Sequence, residues 1–232
     1  MTVRNMPVRE RIYLFLAGVF ITALTLGNVI GITKFVDLGV FVIPAGLLAY
    51  PITFLATDLI SELYGRKRAQ AVVWVGFVMN FFMLFLMWLG HSLPDASGVS
   101  GAASTFESVY DFMKPNVVAS MIAYLIAQSF DVRAFHFWKE LTKGKHLWLR
   151  NIGSTTASQV IDTVTILTIL YLSGGLGESV DGVAALIGLM WSSYAFKFLF
   201  ALGDTPFFYA GVHLLREYAG EEEAVGDDAT AA

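Results

Sequence analysis

The sequence predicts an all-α membrane protein of six transmembrane helices, and three observations carry that expectation. Of the 232 residues, 56% are apolar and only 15% are charged, against about 25% in soluble domains. Mean hydropathy is +0.64. The apolar residues gather into uncharged runs of the length a bilayer core requires, about 20 residues of helix. Lysine and arginine fall in alternate connections between those runs. A β reading fails, because the runs lack period-two alternation and open strand edges cannot face lipid.

The first run, 12–33, holds 22 residues without a charge. That is too long for the core of a cleavable signal and right for a span. The second and third, 38–57 and 69–94, also lack Asp, Glu, Lys and Arg. Three further helices are expected at about 115–136, 148–173 and 183–215, the last two with charges in mid-run. The connection 94–105 reads PDASGVSGAAST, small and polar, and Lys114-Pro115 marks a helix start after it. SGGLGESVDG at 173–182 is a short glycine-rich turn. The stretch 133–150 is basic and aromatic, with Phe135, Phe137, Trp138 and Trp148, and is expected to lie along the headgroups.

Charge sets the orientation. Arg4, Arg9 and Arg11 precede the first run, and Arg66, Lys67 and Arg68 separate the second from the third. Arg133, Lys139, Lys143, Lys145 and Arg150 separate the fourth from the fifth, and Arg216 follows the sixth. The remaining connections hold only Lys34 and Lys114. Both termini are therefore expected on the cytoplasmic side of the plasma membrane. Residues 1–216 read as one six-helix domain. Residues 217–232, with five acids in the last twelve positions, read as an acidic, disordered tail.

Several chemistries are excluded. Without cysteine there is no disulfide, thiolate metal site or cysteine nucleophile. Gly144-Lys145 is followed by His146 and lacks the earlier glycine of a Walker loop, so ATP hydrolysis by the chain itself is not expected. His91, His136, His146 and His213 lie near helix ends without metal-ligand spacing, and no metal or cofactor is expected. LGD at 202–204 resembles the glycine-aspartate element of intramembrane aspartyl proteases, but Ala201 precedes it and Tyr110-Asp111 falls in a connection. The chain is not read as an enzyme.

Ionisable side chains inside a bilayer are costly and mark interior cavities or pathways. Here they are Asp58, Glu62, Asp131, Asp162, Lys197 and Asp204. Asp58 and Glu62, four apart, share a helix face, and Glu62 has Arg66 one turn further on as an ordinary interfacial partner. On the fifth helix Thr155, Ser158, Gln159, Asp162 and Thr165 recur at spacings of three and four. On the sixth, Trp191, Tyr194 and Lys197 share a face. An Asp162–Lys197 pair serves either as interhelical glue or as part of a substrate site. Carboxylates accept paired N–H donors and aromatic rings stack on flat heterocycles. A purine-like base fits that set, with Asp58 or Asp162 on its amino-lactam edge. Lys197, Gln159 or Asn28 would meet the remaining polar atoms, and Tyr50, Phe54, Trp191 or Tyr194 the rings. The same residues permit other ligands. Glu62, Asp131 and Asp204 are candidates for coupling or gating. Ala23, Gly27 and Gly31 form a small-residue ridge on the first helix, suited to packing within the chain or to a homodimer.

Four ordered blocks then carry a resemblance: PAGLLAYPITFLATDLISELYGR, AQSFDVRAFHFWK, LWLRNIGSTTASQVIDTVT and YAFKFLFALGDTPFFY. They resemble the queuosine precursor transporter family, also called the vitamin uptake transporter family, over about residues 12–216. The resemblance implies a multi-pass importer of 7-deazaguanine compounds, precursors of queuosine or, in an archaeon, of archaeosine. It implies a bundle distantly similar to the substrate-binding subunits of energy-coupling-factor transporters, working without their ATPase. The matching polar positions are Asp58, Asp131, Gln159, Asp162 and Lys197. The other readings weighed are a binding subunit that needs an ATP-driven module and an ion channel. No nucleic-acid partner is expected.

Overall fold

The first helix, α1 (Val8–Ile30), follows directly from the first apolar run. The computed structural model describes residues 6–31, 33–95, 102–143, 145–176 and 180–230, with side chains described as far as Tyr218 apart from a few near helix starts. After α1 come two short strands, β1 (Phe35–Asp37) and β2 (Val42–Pro44). A 3-10 turn (Ala45–Ala49), α2 (Tyr50–Tyr64), α3 (Arg66–Ser92), α4 (Ala102–Leu141), α5 (Leu147–Leu172) and α6 (Gly182–Thr230) complete the order. Six described helices are long and apolar enough to cross a membrane, as the sequence predicts.

Polarity runs inside out. Phe15, Leu172 and Trp191 are 68%, 79% and 71% exposed, whereas Asp58, Asp131, Asp162 and Lys197 are at most 3% exposed. Water would reverse that pattern; lipid permits it, because exposed hydrocarbon costs nothing there and polar groups must find partners inside. The apolar core that remains joins α1, α2, α3, α4 and α6 around Phe20, Ile60, Val73, Phe135 and Phe208.

Three expectations need correction. The second span does not begin at residue 38. Residues 35–44 form an antiparallel hairpin, with Val36 opposite Ile43. Its turn is set by Asp37, whose carboxylate accepts the Gly39 N–H at 2.7 Å, and by Gly39 at φ +81°. Ile43 is fully buried, and Phe41 packs edge-on against Phe196 of α6. A stretch too short for a helical repeat and rich in Val, Ile and Phe thus folds as strands. The membrane-length segment is Ala45–Tyr64.

The fourth helix does not begin at Pro115, which lies inside α4. Proline there removes one helical hydrogen bond. The helix persists because Tyr110, Met113 and Val117, on both sides of it, pack into one apolar cluster. Residues 96–101 of the connection lie outside the described residues. Nor does the fourth helix end near 136, at the basic stretch that follows 133. α4 continues through it to Leu141, with Phe135 fully buried and Trp138 seated over Gly153 of α5. Residues 177–179 of the glycine-rich turn also lie outside the described set. Beyond Arg216, α6 continues as helix to Thr230, over the stretch whose composition reads as disordered.

The small-residue ridge of α1 is used within the chain. At Gly27 and Gly31 the helix meets the 3-10 turn, where the Gly46 N–H donates to the Gly31 carbonyl at 3.1 Å. A Cβ on Gly46 would collide with the backbone at Gly27 and Gly31, and one on Gly31 with the Asn116 amide of α4.

Candidate functional site

The polar side chains form three successive layers along the bundle, from the hairpin end to the end that carries Arg68. The first is a chamber of about 70 Å³, counted as space for the centre of a water-sized sphere, well above the ~10–15 Å³ that one water needs. Asn28 of α1, Tyr50 and Thr53 of α2, Asn116 and Ser120 of α4, and Ser193 and Lys197 of α6 are among its lining residues. Asn28 Nδ2 donates to Asn80 Oδ1 at 2.7 Å, and Asn116 Nδ2 donates to the Asn28 carbonyl at 3.2 Å. These bonds fix the amide orientations. The close approach of Gly31 and Gly46 brings the start of α2 against this wall.

The second layer closes the chamber floor. Lys197 Nζ donates to Asp162 Oδ2 at 2.6 Å and to Thr163 Oγ1 at 3.1 Å, and it sits 4.1 Å from the centre of the Tyr50 ring. The sequence-predicted pair therefore exists, and α5 and α6 meet through it. Removing one partner of such a buried pair costs roughly 3–5 kcal/mol, because the other charge is left without compensation.

The third layer is acidic. Asp58 of α2 and Asp131 of α4 lie within hydrogen-bonding reach of each other. The Thr155 hydroxyl donates to Asp58 at 3.4 Å and the Ser158 hydroxyl to Asp131 at 2.9 Å. Gln128 Nε2 donates to the Thr57 hydroxyl alongside, at 2.8 Å. At the end of the bundle Glu62 accepts from Lys139 at 3.2 Å and from Arg216 at 2.8 Å, tying α2 to α4 and α6. Those two cations, remote in sequence, hold the carboxylate that spacing alone assigns to Arg66.

The predicted site residues are therefore divided. Asn28 and Lys197 line the chamber, and Asp162 reaches it through Lys197. Phe54 is buried behind Tyr50, stacked at 5.9 Å between ring centres. Gln159 and Asp204 border a tight crevice with no room for a water molecule. Asp58, Asp131 and Glu62 lie deeper. Trp191 is largely exposed, Tyr194 stacks on Phe198, and neither is among the residues lining the chamber. Sequence reasoning missed Asn80, Asn116, Ser120 and Ser193, because a search for charges passes over neutral polar residues. A signal was present. Asn116, Ser120, Tyr124, Gln128 and Asp131 recur at spacings of four and three along α4, all 7% exposed or less, as on α5.

Comparison with known proteins agrees with this architecture. A family model described as a putative vitamin uptake transporter matches residues 44–211. A probable queuosine precursor transporter of Bacillus subtilis (strain 168) is 26% identical over 185 residues, 79% of this chain and 78% of that protein. A probable queuosine precursor transporter of Haemophilus influenzae is 30% identical over 54% of this chain and 51% of its own length. The queuosine precursor transporter of Escherichia coli (strain K12) is 25% identical over 54% of each chain. No solved structure matches the chain.

Proposed function

The chain belongs to the putative vitamin uptake transporter family, and on that premise we propose that it imports a 7-deazaguanine precursor of queuosine across the plasma membrane without an ATPase of its own. The observation that carries this reading is a chamber with Asn28, Asn116, Ser193 and Lys197 set into mostly apolar walls, held inside a bundle whose outer surface is hydrocarbon. A scaffold has no need of it. Buried polar groups in a membrane domain are costly unless a substrate or pathway uses them.

In this reading the base lies against the Tyr50 ring, with Asn28 and Asn116 meeting its polar edge. Lys197 donates to its carbonyl, and Asp162 accepts its N–H groups when Lys197 turns aside. Gln159, Asp58 and Phe54 stand behind these contacts, and Trp191 and Tyr194 flank the mouth. The arginine and lysine pattern puts both termini in the cytoplasm, so the hairpin end faces outward and the Glu62–Lys139–Arg216 cluster closes the inner end. Alternating access then consists of opening that cluster while the hairpin end closes. Asp58, Asp131 and Asp204 are the groups placed to couple that change to protons. Residues 1–216 act as one transport domain, with 217–232 as an acidic extension, and the chain works alone or as a homodimer. The bundle is expected to be related in shape to the binding subunits of energy-coupling-factor transporters.

Reconstitution of the purified protein in liposomes without any partner tests the proposal. Saturable uptake of labelled 7-cyano- or 7-aminomethyl-7-deazaguanine is the expected result. Tight binding with no uptake would instead identify a subunit that needs a separate motor. Ion currents without binding would identify a channel.

A further inference from the structure

The chamber wall has a fixed hydrogen-bond polarity. Its orientation is set from the Gly76 carbonyl of α3, which can only accept. Asn80 Nδ2 donates to that carbonyl at 2.9 Å, so Asn80 turns its Oδ1 the other way, and Oδ1 accepts from Asn28 Nδ2 at 2.7 Å. Turning the Asn28 amide over would set two oxygens face to face. The Asn28 backbone carbonyl accepts in turn from Asn116 Nδ2 at 3.2 Å, and that nitrogen lies against Gly31 of α1. Both wall amides thus commit their nitrogens to the protein. Their Oδ1 atoms take no hydrogen bond from it, and both residues line the chamber.

Helix α6 supplies the opposite character. Ser193 and Lys197, four residues apart, both line the chamber. Ser193 is 4% exposed and its Oγ has no partner, a state that calls for a ligand or a water. Lys197 carries three N–H donors, of which Asp162 and Thr163 take two. The chamber therefore offers acceptors on α1 and α4 and donors on α6.

We propose that this polarity makes the chamber select for the exocyclic amino group of the base, and that Asn80, which is not among the lining residues, is the positioning residue that sets the selection. The inference rests on the transport reading and narrows its substrate. The lactam carbonyl of the base takes the donors of Ser193 and Lys197. Its ring N–H and the amino group beside it meet the oxygens of Asn28 and Asn116. At about 70 Å³, against the ~150 Å³ that holds benzene, the space takes one edge of a base, and the amino-lactam edge is the one it fits. A base with hydrogen in place of the amine leaves a buried oxygen unpaired. A base with a second carbonyl there sets oxygen against oxygen.

Equilibrium binding of three bases to the purified protein tests this. They are 7-deazaguanine, 7-deazahypoxanthine, which lacks the amine, and 7-deazaxanthine, which has a carbonyl in its place. The wild-type protein is expected to bind the first about tenfold or more tightly than the second, as one unpaired buried group dictates, and the third most weakly. Asn80→Leu frees the Asn28 amide to present its N–H, so the preference for 7-deazaguanine over 7-deazaxanthine is expected to fall toward one. Asn80→Asp keeps an oxygen for Asn28 Nδ2 and is expected to keep the preference. Ser193→Ala removes a hydroxyl that has no partner in the protein, so it is expected to fold as before. It should bind all three bases more weakly by a common factor, because each keeps the lactam carbonyl. Equal wild-type affinity for 7-deazaguanine and 7-deazahypoxanthine would overturn the inference. So would an Asn80→Leu protein that weakens all three bases alike, as a purely structural role predicts, or an Asn80→Asp protein that loses the preference. A Ser193→Ala protein that binds all three as the wild type does would overturn the donor side. Wild-type protein that binds none of the three would overturn the transport reading itself, and this inference with it, a result distinct from the others.

Discussion

Lys197 shows how one side chain joins stability to function. Its ammonium is 3% exposed and satisfied by Asp162, Thr163 and the Tyr50 ring. In Lys197→Met a carboxylate remains buried without its counter-charge, so a loss of roughly 3–5 kcal/mol is expected, read as a lower unfolding temperature in detergent. Adding Asp162→Asn removes the stranded charge and should restore most of that stability. Uptake should stay lost in both proteins, because neither keeps the ammonium that donates to the carbonyl of the base. A double variant that transports normally would reduce the pair to interhelical glue. Asn80 sets a smaller effect. It is fully buried and accepts from Asn28, so Asn80→Leu leaves an amide in the chamber wall unpaired. A cost of about 1–3 kcal/mol is expected, together with weaker base binding in equilibrium titration, because the Asn28 amide is then free to rotate.

At the scale of elements, backbone geometry at a few glycines sets the shape of the bundle. Gly65 alone joins α2 to α3, at φ +83°, with its N–H donating to the Ser61 carbonyl at 3.2 Å. Gly65→Ala places a Cβ at φ +83° and ψ 171°, a region open essentially only to glycine, and should cost about 1–3 kcal/mol, seen as a lower melting temperature with uptake per folded molecule unchanged. Gly46 has a different duty. A side chain there meets the backbone of α1, so Gly46→Ala should push the start of α2 off the chamber wall and weaken base binding more than it lowers stability. Residues of this kind mark the limit of what the sequence made legible. Uncharged runs and the positions of arginine and lysine were enough for six helices, because length and charge are properties of single segments. The hairpin at 35–44 stays hidden because its second strand lies inside such a run, and its apolar residues carry no sign of their partner strand. Pro115 read as a start, because its fixed φ and missing N–H are local, whereas the cluster of Tyr110, Met113 and Val117 that holds the helix together is tertiary. The same division applies to the site. The Asp162–Lys197 pair is legible from charge, but no local signal marks Lys139 and Arg216, 77 and 154 residues away, as partners of Glu62.

For the whole molecule, the layers imply which end is closed. At the hairpin end the chamber is bounded by Pro44 of β2, the 3-10 turn and the end of α1, with α4, α5 and α6 forming its sides. At the other end two ion pairs converge on Glu62, and Arg68 reaches Glu10 at 2.8 Å, so α1, α2, α3, α4 and α6 are tied together there. The Glu62 side chain is only 8% exposed, although Arg216 is 58% exposed and its share is weakened by solvent. Glu62→Gln keeps the shape and removes the charge that both cations need. If that cluster holds the inner end shut, the variant shifts the population toward the inward-open form. Apparent affinity for base offered from the hairpin side then falls by the fraction of molecules no longer outward-facing. A single cysteine introduced at Ser61, beside the cluster, should at the same time react faster with a reagent applied from the other side. Weakened binding without increased reactivity would mean that Glu62 merely supports the chamber. Increased reactivity with unchanged binding would mean that the two ends open independently, and alternating access would have to be abandoned for this fold.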